Sequence, residues 1–269
     1  MNQLGSSSKT KISDLNISSQ NQNKKNNTSK VIQKALAYIL VISIFVFVIV
    51  TATDNPRYDL ILSERKMLID ALLTTLWISI VTLLISMVTG FIFYLCMKSK
   101  NVFLSTLSNL LEEIVMGTPL LVMIFLVVYV LGARFNINQK LILGIIALTI
   151  YSTPYLANAY ETAIAVIDED QYTVMKLYHF TPWQKYRYVI IPQMIKPLIP
   201  SMINNLSGAI KGSALLKIVS VSEISYVITV ISNKSYAAIE GYLVMWVMYL
   251  IITIPLSLLA SYIGRRLGS

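Results

Sequence analysis

From residue 31 onward, long apolar runs alternate with short polar breaks, and the runs exceed the length of strands. VIQKALAYILVISIFVFVIVTAT (31–53) has an apolar part of about 20 residues, enough to cross a hydrocarbon core of about 30 Å. MLIDALLTTLWISIVTLLISMVTGFIFYLCM (67–97) is longer and leaves room for tilt. GTPLLVMIFLVVYVLG (117–132) is the clear part of a third span, begun by the mixed segment 103–116. LILGIIALTIYSTPYLANAYETAIAVI (141–167) is a fourth. Residues 195–231 form a weaker fifth, in which Pro197, Pro200 and Gly212 are expected to break the helix. YLVMWVMYLIITIPLSLLASYI (242–263) is the sixth. The pattern predicts an all-α polytopic membrane protein of about six transmembrane helices.

Composition agrees. Of 269 residues, 55% are hydrophobic and only 13% charged, where a soluble domain carries about one quarter charged residues. Residues 1–30 are mostly Ser, Asn, Gln, Lys and Thr. They offer too little apolar surface to offset chain entropy and are expected to be a disordered cytoplasmic tail. No signal-peptide layout precedes the first apolar run, which is therefore expected to be retained. The net charge of +9 sits in tails and loops. Lys9, Lys11, Lys24, Lys25, Lys30 and Lys34 precede the first span, Lys98 and Lys100 follow the second, and Arg265 and Arg266 close the chain. With about six spans these lie on one side, which the positive-inside rule makes cytoplasmic. The loop 54–66 partly dissents with Arg57, Arg65 and Lys66, balanced by Asp54, Asp59 and Glu64. No basic-aromatic patch points to nucleic acid. The lone cysteine, Cys96, and lone histidine, His179, exclude a disulfide framework and leave no metal-ligand spacing.

One stretch interrupts the apolar pattern: QYTVMKLYHFTPWQKYRYVIIPQM (171–194), preceded by Asp168-Glu169-Asp170. Val174, Leu177 and Tyr178 fall at i, i+3 and i+4, one helical face. His179-Phe180-Thr181-Pro182 breaks the pattern, with Thr181 as N-cap and Pro182 in the first turn of a second helix. Trp183, Tyr186 and Arg187 are expected to share that helix's face. Two short helices at an angle are predicted along the membrane surface. Two roles stay open from the residues alone: an interfacial loop with aromatic anchors, or a rigid knob that fits a cleft on a cytosolic partner.

At this point the chain resembles a family, the membrane permeases of ABC importers, specifically those for polar amino acids. The family's coupling loop runs Gln-x-Glu-Ala-Ala-x-x-Leu-Gly, then Trp-Gln, then Leu-Pro-Gln. The matching positions are Gln171, Thr173-Val174-Met175, His179, Trp183-Gln184 and Ile191-Pro192-Gln193. Gly117-Thr118-Pro119-Leu120-Leu121-Val122 is similar to the family's Gly-Thr-Pro-Leu-Leu-Val. Asn205 with Lys211-Gly212-Ser213-Ala214-Leu215 and Glu223 resembles Asn…Lys-Asp-Thr-Ser-Leu…Glu. Leu73-Thr74-Thr75-Leu76 stands where the family opens its first core span. The resemblance covers residues 67–263. Departures are clear: the Glu-Ala-Ala acid is absent, the loop glycine is His179, the Arg before Gly-Thr-Pro is Met116, and Ala-Glu with a following Arg is Ala157-Asn158 with Glu161. Histidine is one of the few non-glycine residues that tolerate positive φ.

The resemblance implies three regions: a tail (1–30), an extra N-terminal helix and extracytoplasmic loop (31–66), and a permease domain (67–269) whose coupling loop is 168–190. It implies that Gln171, Thr173, Val174, Leu177, Tyr178, His179, Phe180, Pro182 and Trp183 contact an ATPase. It further implies a cytosolic ABC ATPase dimer, a second permease subunit (itself or a sister chain), an extracytoplasmic solute-binding protein, membrane lipid around the spans and an amino acid as solute. The implied localisation is a prokaryotic plasma membrane, with both termini expected in the cytoplasm. It implies that this chain holds no cofactor and that ATP and Mg²⁺ belong to the partner ATPase; the sequence has no phosphate-binding Gly-x-x-x-x-Gly-Lys-Ser/Thr loop. No catalytic residue is proposed, because no nucleophile elbow or paired-carboxylate site appears.

Polar groups inside spans mark candidate paths. Asn158 and Glu161 lie three apart beside Pro154; a carboxylate there suits an ammonium. For Asn158 a helix–helix hydrogen bond is the rival, and for Glu161 a reach to interfacial water. Lys211, Gly212 and Ser213 either line the path or only kink the fifth span. Gly117, Thr118 and Pro119 shape a helix start, with solute contact through Thr118 the alternative. Pro192 and Glu223 complete the structural motifs. A secondary carrier, a degenerate permease acting as scaffold, and an importer of another small solute are the competing functions. A carrier would show internal repeats and midplane ionisable groups, and no convincing repeat is present.

Overall fold

The computed structural model describes residue 30, residues 32–51 and residues 56–267. The expected tail, 1–30, lies outside the described residues except for Lys30. The chain divides into two units, before and after the Asn55–Pro56 junction. The first contains α1 (Ile32–Thr51), an apolar helix exposed along almost all its length.

The second unit is entirely helical among its described residues. It runs α2 (Tyr58–Leu62), α3 (Arg65–Met97), α4 (Val102–Gly117), α5 (Leu120–Arg134), α6 (Lys140–Ile164), α7 (Glu169–Leu177), α8 (Pro182–Val219), α9 (Ile224–Ser235) and α10 (Ala238–Leu267). The unit includes α2 because Ile61 is fully buried beside Leu68, Ile224 and Ile228. Four described helices, α1, α3, α6 and α10, are long and apolar enough to cross a membrane. The pairs α4–α5 and α8–α9 make six spans when each bent pair counts as one.

Two breaks differ from the sequence pattern. The third run is not straight: α4 and α5 meet at 107°. Thr118 is extended (φ −91°, ψ 124°) and Pro119 follows at ψ 136°. A residue before proline is pushed out of the helical region, and proline has no N–H to donate. In the fifth run, Pro197 and Pro200 lie inside a continuous helix. Gly212 breaks nothing either; a Cβ there would lie 2.9 Å from Leu120 Cδ2, so the glycine makes room for that leucine. The break comes later. The helix tightens into a 3₁₀ turn over Ala214–Val219, and Ser220 turns left-handed at φ 63° before a 49° bend into α9.

The α3–α6 pair forms the centre of the unit. Gly90 lets the backbones approach: a Cβ there would fall 2.8 Å from Leu156 Cβ and 3.2 Å from the Thr153 carbonyl. The Thr89 and Thr153 hydroxyls meet at 2.8 Å beside it. The buried face of α3 is small and polar, with Thr75, Ser79, Thr82 and Ser86 all fully buried. Small residues are how helices pack closely where surrounding lipid removes the hydrophobic driving force. Apolar clusters flank this seam. Ile78, Ile124, Leu148 and Leu216 pack at one end; Tyr94, Tyr160, Ile190 and Leu198 pack at the other.

Candidate functional site

The polar interruption folds as a capped turn. Asp168 caps α7 by accepting from the Asp170 N–H at 2.9 Å. Met175 is the buried anchor of α7. Tyr172 sits beneath Lys185, whose Nζ is 4.5 Å from the ring centroid; burial, with Tyr186 adding, pushes the Tyr172 hydroxyl above its ordinary range. His179 adopts φ 52°, the conformation for which glycine is usual. Thr181 then opens α8 with a capping box: its Oγ1 accepts from the Gln184 N–H at 3.3 Å and the Gln184 side chain accepts from the Thr181 N–H at 2.9 Å. Pro182 occupies the first turn.

Two expectations need correction. The second short helix is not separate: Pro182–Gln184 runs through a π-helical turn, Lys185–Ile190, straight into the long α8. The wider π turn also changes the face. Trp183 packs edge-on against Tyr188, ring centres 5.7 Å apart, while Tyr186 turns inward against Phe91. A 3.6-residue period put Tyr186 and Arg187 beside Trp183; an i→i+5 turn puts Tyr188 there.

The surface of this segment is bare and apolar. Val174, Leu177, Tyr178, Phe180 and Trp183 are all exposed, Leu177 at 72% and Trp183 at 64%. Thr173, His179 and Pro182 are exposed with them. Gln171 is tied to Gln193, beside the exposed Pro192, by reciprocal amide hydrogen bonds of 3.2 and 2.7 Å.

A cavity of about 570 Å³ lies between α6 and α8, floored by Leu120 at the start of α5. Tyr151, Ser152, Tyr155, Asn158 and Thr162 line it from α6; Ser201, Asn204, Asn205 and Gly208 line it from α8. Asn158 is thus at the cavity, and its Nδ2 donates to Glu112 Oε1 on α4 at 2.7 Å. The Met116 sulfur is 3.8 Å from the same nitrogen. Two departures from the family pattern, Met116 and Asn158, therefore face each other. Glu161, the third, is not a lining residue; it pairs with Lys98 Nζ at 2.6 Å.

The other candidates are dispersed. Thr118 donates its hydroxyl to the Ile114 carbonyl at the bend, next to exposed Gly117 and Pro119. Lys211 is exposed, three residues beyond Gly208. Ser213 is fully buried and donates to the Ile210 carbonyl. Glu223 is fully buried at the start of α9, accepting from the Tyr226 N–H and the Tyr249 hydroxyl, both at 2.8 Å. The Ile224 N–H beside it donates to Thr75 on α3 at 3.2 Å. Among the described residues no His/Cys/Asp/Glu group is arranged to hold a metal.

Sequence reasoning missed Glu112. Its segment passed as the mixed start of a span, although a Glu112-Glu113 pair between Leu111 and Ile114 is costly at membrane depth and signals a function.

Comparison with known proteins now bears on this arrangement. The family model described as "Binding-protein-dependent transport system inner membrane component" matches residues 95–269. The probable amino-acid permease protein YxeN of Bacillus subtilis (strain 168) is 29% identical over 214 residues, covering 78% of this chain and 96% of that protein. The probable glutamine ABC transporter permease protein GlnM of the same organism is 28% identical over 212 residues, covering 78% and 97%. A solved structure, described as an amino acid ABC transporter with histidines, superposes with a TM-score of 0.71 at 26% identity, covering 79% of this chain and 99% of that chain. Helical spans and a family model matched over residues 95–269 lead to one conclusion: the chain belongs to the binding-protein-dependent transport system inner membrane components and is the membrane-spanning, solute-translocating subunit of such a system.

Proposed function

We propose that this chain is the permease subunit of an ATP-driven importer of amino acids, moved by separate ATPase subunits that dock on residues 171–187. The observation that carries the coupling role is the bare apolar tip formed by Leu177, Tyr178, Phe180 and Trp183 on a turn fixed at both ends by caps. Each such side chain gains about 1.5–3 kcal/mol when covered, and a rigid turn transmits force where a loose loop would not. The amino-acid reading is supported by the names of the relatives YxeN and GlnM and of the superposed transporter. It is also supported by a cavity of about 570 Å³ that has Asn158, Asn204 and Asn205 among its lining residues.

In this reading two cytosolic ATPases hold ATP and Mg²⁺ and perform the hydrolysis, so this chain is not an enzyme. A second permease, itself or a sister chain, closes the path opposite α6 and α8, and a solute-binding protein delivers the solute from outside. The termini and the coupling turn face the cytoplasm. Closure of the ATPases pushes α7 and the start of α8. Because α8 continues unbroken from the turn to the cavity wall, the push reaches Asn204 and Asn205 directly. Such a lever selects between two packings of the membrane helices.

The test is co-purification. The intact protein drawn from its own membrane should bring an ATPase with it, and Trp183→Asp should release that ATPase while the protein remains inserted. An ATPase retained by Trp183→Asp together with Leu177→Asp counts against the coupling role. Solute transport by the purified chain with no nucleotide and no second polypeptide overturns the importer reading.

A further inference from the structure

We infer that a second cavity, a groove between α8 and the end of α10, binds a phospholipid whose headgroup carries both a phosphate and N–H donors. Phosphatidylethanolamine has that chemistry, and Lys196 is the residue that would hold its phosphate.

The groove has a volume of about 510 Å³. Val166, after α6, and Gly264, on α10, line it together with Gln193, Lys196, Pro197 and Pro200 of α8. Pro200 marks its membrane end, because Gly264 packs there: a Cβ on that glycine would lie 3.7 Å from Pro200 Cγ. On the membrane side of Gly264, α10 exposes Ile251, Ile254 and Leu258, a surface for acyl chains. On the other side it ends with Arg265 and Arg266. At 1.5 Å per residue, Lys196 lies about 6 Å outward of Pro200 and Gln193 about 10 Å. Gln193 is tied to Gln171 of α7, and Val166 stands two residues before the exposed Asp168-Glu169-Asp170 run. From the membrane outward the groove therefore passes from apolar to cationic, then to amide and carboxylate.

The backbone adds acceptors in the same place. Pro197 and Pro200 lie inside α8 and have no N–H, so the carbonyls of Gln193 and Lys196 lack their i+4 donors. Carbonyls freed in this way beside a bilayer take a donor from elsewhere. Lys196 is exposed, and the ion pairs among the described residues, Lys98–Glu161 and Lys234–Glu64, do not include it. A phosphodiester only accepts, so it matches the Lys196 ammonium. The freed carbonyls also only accept, so they match N–H groups. In phosphatidylethanolamine the phosphate follows the acyl chains and the primary ammonium follows the phosphate, the order in which the groove presents their partners. A choline headgroup keeps both charges but has no N–H. A glycerol headgroup has hydroxyl donors but no cation to set against Asp168, Glu169 and Asp170.

These three lipids, with identical acyl chains, make the test. The full-length protein, purified in detergent and stripped of lipid, is titrated with each, and bound lipid is counted by native mass spectrometry. Phosphatidylethanolamine should bind about fivefold more tightly than phosphatidylcholine or phosphatidylglycerol, the worth of one net hydrogen bond. Pro197→Ala with Pro200→Ala restores both backbone donors and favours the helix, so the fold is kept. It should bring phosphatidylethanolamine down to the level of phosphatidylcholine. Lys196→Ala should weaken all three lipids about fivefold, the share of one cation near a lipid surface. Lys140→Ala, at the other end of the membrane on α6, should change nothing. Glycerophosphoethanolamine, the headgroup without its chains, should not compete. Equal binding of the three lipids by the wild type overturns the inference, as does a preference for phosphatidylglycerol, which reduces the groove to a cationic patch. Competition by glycerophosphoethanolamine at the lipid's own concentration overturns it in favour of a soluble ligand. A phosphatidylethanolamine preference untouched by the proline pair and by Lys196→Ala places the lipid elsewhere and overturns it too.

Discussion

Gly90→Ala tests the packing on which the cavity depends. The added methyl would lie 2.8 Å from Leu156 Cβ, 3.2 Å from the Thr153 carbonyl and 3.3 Å from the Ala157 nitrogen, where ordinary contact starts at 3.4 Å. None of these atoms is the far end of a flexible side chain, so α3 and α6 themselves must part. Overpacking of this kind costs about 1–3 kcal/mol. The displacement also stretches the 2.8 Å Thr89–Thr153 hydroxyl contact, worth about 0.6 kcal/mol in a membrane protein. The sum, about 1.6–3.6 kcal/mol, corresponds to a fall in Tm of roughly 3–14 °C for a protein of this size. Gly117→Ala is the control, because a Cβ there meets nothing within 4 Å. Thermal unfolding of the purified protein in one detergent, followed by the fraction remaining monodisperse, compares the three. A Gly90→Ala protein as stable as wild type and as Gly117→Ala would refute the close-approach argument. It would mean that the α3–α6 seam yields more readily than its contacts imply.

Other expectations are as direct. Tyr249→Phe leaves one oxygen of the fully buried Glu223 without its donor and should lower stability by about 1–3 kcal/mol, seen as a reduced Tm in the same unfolding assay. His179→Gly relieves a left-handed non-glycine residue and should stabilise the turn by up to about 1 kcal/mol; His179→Val should do the reverse, and hydrogen exchange of the α7 amides reads both. Lys98→Ala should change stability by less than about 1 kcal/mol, because both partners of the Lys98–Glu161 pair are nearly half exposed, at 49% and 43%. Glu161→Gln should affect uptake of cationic and neutral amino acids alike, since Glu161 faces Lys98 and not the cavity.

Much of this protein was written into local sequence. A bilayer imposes a length on each apolar run, so α3, α6 and α10 are visible as runs of the right size. Caps act over a few residues, so Thr181 and Pro182 could be placed without knowledge of the rest. The turn needed a left-handed residue, and His179 supplies it. The order of the motifs, from Gly117-Thr118-Pro119 through Trp183-Gln184 to Glu223, carried the family resemblance in the same local way.

What tertiary structure decided was how distant helices meet. The 107° bend at Thr118–Pro119 and the π turn that moves Tyr188 beneath Trp183 depend on which faces find neighbours, and a hydrophobic pattern does not encode that. Glu112 reaches Asn158 across 46 residues, and Lys98 reaches Glu161 across 63. Only Glu161 stood out in the sequence as a carboxylate suited to a cation. Packing alone made Glu161 half of an ion pair with Lys98 and set Glu112 against Asn158 at the cavity wall, because a charge is defined by its three-dimensional neighbours and not by its position in the chain.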